Sequence, residues 1–430
     1  MKKGINVLPP SGMRDFLPEQ QKFKMGILNK IREVFESYGY VPIETPAMER
    51  MEVLTGKYGE EGENLIFKIQ KQGEDSLSSS MALRYDFTVP LSRYYSCNRN
   101  SLPNIFKRYQ FGPVWRAERA GKDRFREFYQ FDIDVIGSSS ILNEIEILFA
   151  IGDGLKSVDL KNFKILLNSR VILDELFNKI ISSNHSEKNQ FFSTLDKLDK
   201  IGVDATKEEL KSKGFIKEEI EKVFEMILDY NFLKNNVSCT ETIVKLEKIC
   251  EEVTKKFGTD SILINPSLAR GLNYYTDTIF EIECSGVKGS IAAGGRFDNL
   301  IGLFSNQSFP ACGGSIGIER IFSILYEKYS SAGSNNNNIL VSVWSEDMIT
   351  ESIEIFNKIR FFVKNTEIFL GSGNISKQFK YAEAKGCKYV VIYGPDEKSR
   401  KEVKVKDIIK REEKTINISN IHEIANILEF

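Results

Sequence analysis

The stretch from Arg108 to Val135 constrains the fold of this chain more than any other, because its residues alternate in polarity with the period of two that a strand imposes. Counting from Arg124, one face collects Arg124, Arg126, Phe128, Gln130, Asp132 and Asp134; the other collects Phe125, Glu127, Tyr129, Phe131, Ile133 and Val135. Upstream, Arg108, Gln110, Gly112, Val114, Arg116 and Glu118 share a face, and the short, turn-like Ala117 to Lys122 joins the two runs. The spacing predicts an antiparallel hairpin with a polar face rich in arginine and carboxylate. Leu83 to Val89 alternates in the same way, with Arg84, Asp86 and Thr88 together. Pattern alone leaves two readings open, the wet side of an antiparallel sheet or a ligand site.

Three further segments favour a site. Arg270-Gly271-Leu272-Asn273-Tyr274-Tyr275 sets an arginine and two tyrosines on another strand-like run. Ala292 to Arg296 contains paired glycines, which weaken a strand unless a ligand or another backbone comes close. Gly313 to Arg320 leads into an amphipathic helix with Arg320 in its first turn. Several arginines on one sheet face suit a polyphosphate, because guanidinium groups bind phosphate through paired donors and neutralise charge during its transfer. The usual nucleotide loops do not account for them. No G-x-x-x-x-G-K-[ST] occurs, and the glycines near Gly313 lack the setting of a dinucleotide site. Gly313-Gly314-Ser315-Ile316-Gly317 matches the G-x-S-x-G nucleophile elbow, but only His422 follows Ser315, in a helix-like segment, which argues against a serine hydrolase.

The chain has 430 residues, enough for about three structural units and a core that needs no disulfide or metal staple. Its 59 basic and 60 acidic side chains nearly cancel, which excludes a polyelectrolyte tail but not a nucleic-acid partner held by a locally basic face. Six dispersed cysteines and two histidines offer no zinc-ligand spacing, so no metal site is predicted. Gly4, Asn6 and Pro9-Pro10 interrupt any leader-like core, and no run approaches the roughly 18 apolar residues of a membrane span. The expectation is a soluble protein of the cytoplasm, with no membrane partner.

Helical spacing from Gln21 to Tyr38 ends at Gly39, and Tyr40 to Thr45 reads as a strand. A Lys- and Glu-rich stretch of helical period, about 185–257, is predicted to be an insertion in a sheet that resumes from Ile262 to Gly317. A helix from about Glu319 to Tyr329 follows, then a polar low-complexity linker, 330–338. Beyond it, strands at Ile339 to Val343, Thr366 to Leu370 and Tyr389 to Tyr393 alternate with helices, which predicts a small α/β domain with a largely parallel sheet. The predicted domains are therefore 1–329, containing the insertion, and 339–430.

On these residues the chain resembles the class II aminoacyl-tRNA synthetases, and within that class the histidyl-tRNA synthetases, over nearly its whole length. Pro9-Pro10-Ser11-Gly12-Met13-Arg14-Asp15 is similar to the family's N-terminal signature. The helix ending at Gly39 with the strand to Pro46 resembles motif 1, which forms the dimer interface in the class. Trp115-Arg116-Ala117-Glu118, a loop and Arg124 to Phe128 resemble motif 2, and Gly314 to Arg320 resembles motif 3. Arg270 to Thr276 is the signature that singles out the histidine enzymes.

The resemblance implies an α+β fold: a class II antiparallel sheet flanked by helices, a helical insertion and a C-terminal α/β anticodon-binding domain. It implies a homodimer that joins L-histidine to tRNA(His) at the expense of ATP, with Mg2+ accompanying the ATP. Arg116 would touch the substrate carboxylate and the α-phosphate, and Arg270 would approach that phosphate from the other side. Adenine would lie between Phe128 and Arg320, with Glu118 near its amino group and Arg124 at the distal phosphates. Asp86, Thr88 and Gln130 would hold the α-ammonium of histidine; Asp134 and Tyr275 would bond the imidazole nitrogens, and Tyr274 would also belong to the histidine site. Asp86 and Asp134 stand where many relatives have glutamate, which implies a compensating backbone shift or a bridging water. The alternative in the same superfamily is a histidine-sensing regulatory paralogue that does not charge tRNA.

Overall fold

The two alternating runs are strands in the computed structural model, Phe106–Trp115 and Glu127–Ile136, paired antiparallel from Phe106↔Ile136 to Trp115↔Glu127. The structure describes residues 5–58, 62–70, 79–121, 124–182, 185–269, 274–286, 289–332 and 338–427. They belong to two units, Met1–Tyr326 and Glu327–Phe430.

In chain order, the strands of the first unit are β1 (Val41–Pro42), β2 (Met48–Arg50), β3 (Lys68–Ile69), β4 (Met81–Leu83), β5 (Phe106–Trp115), β6 (Glu127–Ile136), β7 (Phe163–Ser169), β8 (Ile262–Ile264), β9 (Thr278–Cys284), β10 (Ala292–Arg296) and β11 (Ala311–Gly317). Eight of them form one sheet in the order β1-β5-β6-β11-β10-β9-β7-β8, and β2-β4-β3 form a smaller one. The large sheet is antiparallel except at its margins, where β1 runs parallel to β5 and β7 to β8.

The apolar side of β6 explains how that sheet is covered. Phe131, Ile133 and Val135 are buried in one core with Ile27, Ile31 and Phe35 of the helix Pro18–Ser37 and Ile147 and Ile151 of the helix Leu142–Ser157. The rings of Phe35 and Phe131 meet edge to face at 5.0 Å. With that face committed to helices, Gln130, Asp132 and Asp134 must emerge on the other. The helix Pro18–Ser37 carries proline at its first position, and Gly39 follows it at φ +82°, a conformation that favours glycine.

One strand expectation fails. β4 stops at Leu83, and Thr88 opens a helix, Thr88–Asn98, because Asp86 Oδ1 accepts the Val89 N–H (3.1 Å) and turns the chain out of extended geometry. Arg84 leaves the polar face altogether: its guanidinium is buried and donates to the Thr45 and Pro113 carbonyls at 2.7 and 3.0 Å.

Between β7 and β8 the chain is helical, from Arg170–Ile180 and His185–Leu195 to Thr240–Phe257, and Phe191, Leu210, Phe224 and Leu246 join the core of the large sheet. The helix Ile318–Ala332 begins in the first unit and runs past its end at Tyr326, so Ser330 and Ser331 are helical rather than linker; 333–337 lie outside the described residues.

The second unit has a five-stranded sheet of β12 (Ile339–Val341), β13 (Thr366–Ile368), β14 (Tyr389–Ile392), β15 (Glu402–Asp407) and β16 (Glu413–Asn417), in the order β13-β12-β14-β15-β16. Only the first three are parallel; β15 and β16 are antiparallel additions. The expected largely parallel sheet is thus mixed, because β15 alternates Val403 and Val405 with lysines whose charge hides the strand signal. No helix among the described residues is long and apolar enough to cross a membrane.

Candidate active site

On the polar face of the large sheet a cavity is walled by Asp86, Thr88, Arg116, Tyr274, Tyr275, Ser290 and Phe297, by Gln130, Asp132 and Asp134 of β6, and by residues of β10 and β11. Strand register explains the meeting. Gln130, Asp132 and Asp134 stand opposite Gly317, Ser315 and Gly313. A Cβ on Gly313 would lie 1.8 Å from Asp134 Oδ1, and one on Gly295 would lie 2.9 Å from the Tyr275 ring. The glycines leave the room that this carboxylate and this ring occupy.

Asp86, 3% exposed, accepts hydrogen bonds from Tyr58 Oη (3.0 Å), the Val89 N–H (3.1 Å) and Tyr274 Oη (3.4 Å). Burial raises its pKa above the usual carboxylate range, opposed by the Val89 N–H and the nearby Arg116 cation. Burial likewise holds Tyr58 and Tyr274 well above the ordinary tyrosine range, with the Asp86 charge adding to the effect, so both serve as neutral donors.

Arg116 directly follows β5. Its guanidinium lies 4.3 Å from the Tyr85 ring centre and 5.1 Å from that of Phe128, and its Nε donates to the Tyr85 carbonyl at 3.3 Å. Two aromatic faces and a carbonyl therefore orient this cation on the cavity wall.

Deeper in the sheet, Asp134 forms an ion pair at 2.5 Å with Arg108, a residue with no exposed side-chain surface. Burial pushes Asp134 up to about 6, against the pull of Arg108. Burial pushes Asp132 up to about 8, with Arg108 again opposing and Asp134 adding like-charge repulsion. These are three buried carboxyls on one cavity, a wall suited to a ligand rich in N–H donors.

Of the residues singled out from sequence, Asp86, Thr88, Arg116, Gln130, Asp134, Tyr274 and Tyr275 are brought together here. Glu118, Arg124, Phe128 and Arg320 do not line the cavity. Glu118 and Arg124 pair with each other beside the hairpin turn. Phe128 lies under Arg116, and Arg320 donates to the carbonyl of Ser290, which is itself on the cavity wall. Arg270, with 271–273, lies outside the described residues. Ser315 sits within β11 rather than on a strand-to-helix elbow, and His422 belongs to the second unit, its ring 6.1 Å from Phe362.

Sequence reasoning gave no role to Asp132, Ser315 or Tyr58. Asp132 was visible in the alternation; nothing near Tyr58 signals its bond to Asp86. It also could not show how the N-terminal signature works. Arg14 pairs with Glu319, whose other oxygen accepts the Tyr129 N–H at 3.3 Å, and Gly12 O accepts the Arg126 N–H at 2.7 Å. Gly12 has φ +82°, and a Cβ there would lie 2.8 Å from Arg126 Cγ. The signature thus ties the hairpin to the start of the helix Ile318–Ala332.

Comparisons with known proteins place the chain in a family. The family model described as histidyl-tRNA synthetase matches residues 12–321, and that described as anticodon binding domain matches 340–426. The histidine–tRNA ligase of Cytophaga hutchinsonii is 36% identical over 444 residues, covering 96% of this chain and 98% of the relative. That of Porphyromonas gingivalis is 35% identical over 439 residues, covering 95% and 96%. Among solved structures, histidyl-tRNA synthetase from Nostoc sp. PCC 7120 matches with a TM-score of 0.79 and 30% identity, over 99% of this chain and 100% of that one. An ATP phosphoribosyltransferase regulatory subunit/histidyl-tRNA synthetase from Bacillus halodurans shares the fold at a TM-score of 0.71 and 20% identity, over 88% and 97%.

Proposed function

The chain belongs to the histidyl-tRNA synthetase family and is an ATP-dependent enzyme that ligates L-histidine to its cognate tRNA through a histidyl-adenylate; from that premise we propose how its residues divide the reaction. The observation that carries the division is the cavity where Asp86, Gln130 and Asp134 converge with Arg116 and two tyrosines.

Asp86, Thr88 and Gln130 hold the α-ammonium of histidine. Asp86 is already bonded by three neutral donors, so an arriving cation favours its ionised form. Asp134 and Tyr275 take the two imidazole nitrogens, with Tyr274 orienting Asp86. A site whose buried polar groups need an N–H at each ring edge rejects apolar isosteres strongly.

In the first step a carboxylate oxygen of histidine forms a bond to the α-phosphorus of ATP while the bond to the bridging oxygen breaks and pyrophosphate leaves. Arg116 neutralises the charge that builds on the α-phosphate, and Arg270, assigned on its sequence signature, does so from the other side. Phe128 and Arg320 sandwich the adenine, Glu118 accepts from its amino group, and Arg124 binds the distal phosphates. In the free protein Arg124 pairs with Glu118 and Arg320 with the Ser290 carbonyl, so ATP binding exchanges those contacts. Mg2+ enters on the phosphates as part of the substrate.

In the second step a hydroxyl of the terminal tRNA ribose attacks the acyl carbon and AMP leaves; the bound adenylate itself accepts the proton. The insertion, 185–257, meets the acceptor stem through lysines, and the 339–430 domain reads the anticodon of tRNA(His). Several insertion lysines are already paired, Lys207 with Glu221 and Lys211 with Glu208, so phosphates compete with internal carboxylates there. We place the enzyme in the cytoplasm as a homodimer, built across the motif 1 region.

Histidine-dependent ATP–pyrophosphate exchange, run without tRNA against a panel of amino acids, tests the assignment. Exchange with histidine alone, followed by charging of tRNA(His), is the expected result. Folded protein that binds histidine yet gives no exchange would return the regulatory reading, which is less favoured because both family models match this chain.

A further inference from the structure

The reaction as divided above gives no task to Asp132, yet this residue lines the same cavity and is 2% exposed. Its Oδ1 is buried without a hydrogen-bond partner among the described residues. The groups that face it come from every neighbouring element. Gln110 stands opposite it on β5, but that amide is occupied with Thr45 at 3.1 Å. Ser315 stands opposite on β11, its hydroxyl close enough to draw the Asp132 carboxyl down but without a hydrogen bond to Oδ1. Asp134 lies two residues along β6, and Asp86 and Arg84 approach from the segment after β4. Of the cations nearby, Arg108 lies 2.5 Å from Asp134 and draws Asp132 down as well without hydrogen-bonding to its Oδ1, and Arg84 donates to two carbonyls. A buried carboxyl oxygen left unpaired is costly, and a ligand that supplies the missing donor recovers that cost.

We propose that Asp132 is a specificity-determining residue of the histidine pocket, its Oδ1 taking a protonated nitrogen of the bound amino acid. The inference rests on the assignment of this cavity to histidine. Period-two spacing puts Asp132 on the same face of β6 as Gln130 and Asp134 and midway between them. One of those residues serves the α-ammonium and the other the imidazole, so the shared chemistry is an N–H that carries positive charge or can gain it. An amino acid without that nitrogen leaves the carboxyl unpaired and is rejected. There is a proton consequence. Burial holds Asp132 up at about 8, so in the empty pocket it is protonated at neutral pH; the α-ammonium would displace that proton to solvent, whereas a neutral imidazole nitrogen would take it up.

The test uses the full chain and the Asp132→Asn variant. In pyrophosphate exchange the variant should raise KM for histidine by roughly tenfold or more, while KM for ATP moves by less than about threefold. Calorimetry at pH 7 in buffers of different ionisation enthalpy should show a proton balance on histidine binding that differs between parent and variant, with release from the parent where Asp132 holds the α-ammonium. Two analogues separate the nitrogens: imidazolepropionate lacks the α-ammonium, and 3-(2-thienyl)alanine lacks the ring N–H. The analogue missing the nitrogen held by Asp132 should bind parent and variant alike. A histidine KM within about twofold of the parent, with proton balance unchanged, overturns the inference. Should Asp132→Asn fail to fold, Asp132→Ser replaces it, and a histidine KM within about twofold of the parent in that variant overturns the inference. Loss of histidine-dependent exchange in the unaltered protein would instead overturn the assignment of the pocket, a distinguishable failure.

Discussion

Asp132 and Asp134 set a pH dependence that can be worked out in sign. Both carboxyls have pKa values raised from 3.8, to about 8 and about 6, chiefly by burial. The folded state therefore binds more protons than the unfolded chain across that window, and stability falls as pH rises through it. Asp132→Asn, which cannot ionise, should raise Tm at pH 8 by several degrees relative to the parent and change it much less at pH 4, as differential scanning calorimetry would show. Gly313→Ala places a methyl carbon 1.8 Å from the Asp134 Oδ1 position and should cut histidine-dependent exchange at least about a hundredfold, read as kcat/KM for histidine. Arg116→Lys keeps a charge but loses the planar fork that lies against Tyr85 and Phe128; exchange should fall by roughly 10²–10³ with Tm little changed. At this scale the sequence located residues that meet: seven of those it singled out by alternation or a signature line one cavity. Arg84 was not, since its guanidinium is turned inward by carbonyls from distant segments.

Elements were legible where one face is apolar and the other polar, as in β6 and the helix Pro18–Ser37. They were misread where a side chain overrides local pattern: Asp86 caps Val89 and converts an apparent strand into a helix start. Also invisible in sequence is the network that joins elements behind the site. Glu144, fully buried, takes Arg296 through two hydrogen bonds of 2.8 and 2.6 Å and Lys245 at 2.7 Å; Lys245 also reaches Asp277 at 2.7 Å. It links the helix Leu142–Ser157, β10 and the helix Thr240–Phe257 to the segment just after Tyr275. Glu144→Ala removes the buried anion that Arg296 and Lys245 share, leaving each with a single, partly exposed carboxylate, and should cost about 3 kcal/mol in urea unfolding.

At the scale of the whole molecule, the two units have separate apolar cores, one set under the large sheet and another around β12 to β16. A chain ended after residue 332 should therefore keep histidine-dependent exchange within about threefold of the parent. Its charging of tRNA(His) should fall by at least about a hundredfold, because anticodon contacts are lost while the adenylating site is kept. Measuring both activities on one preparation separates the two roles. The second unit also shows a limit of pattern reading: Gln378 lies in a basic, helix-like segment suited to solvent, yet it is buried and exchanges hydrogen bonds with the backbone of Val343 at 2.8 and 3.0 Å.

Periodicity and residue chemistry determined the hairpin, its polar face and the helical insertion, since each is written in short-range spacing that the backbone must obey; the family came from the resemblance of its signature motifs. Which of those polar residues meet was decided by tertiary structure alone. Strand register sets Asp132 against Ser315 and Asp134 against Gly313, and partners distant in sequence, such as Arg108, Tyr58 and Glu144, set burial and charge. Burial and long-range Coulomb interactions depend on distances that one-dimensional order does not contain.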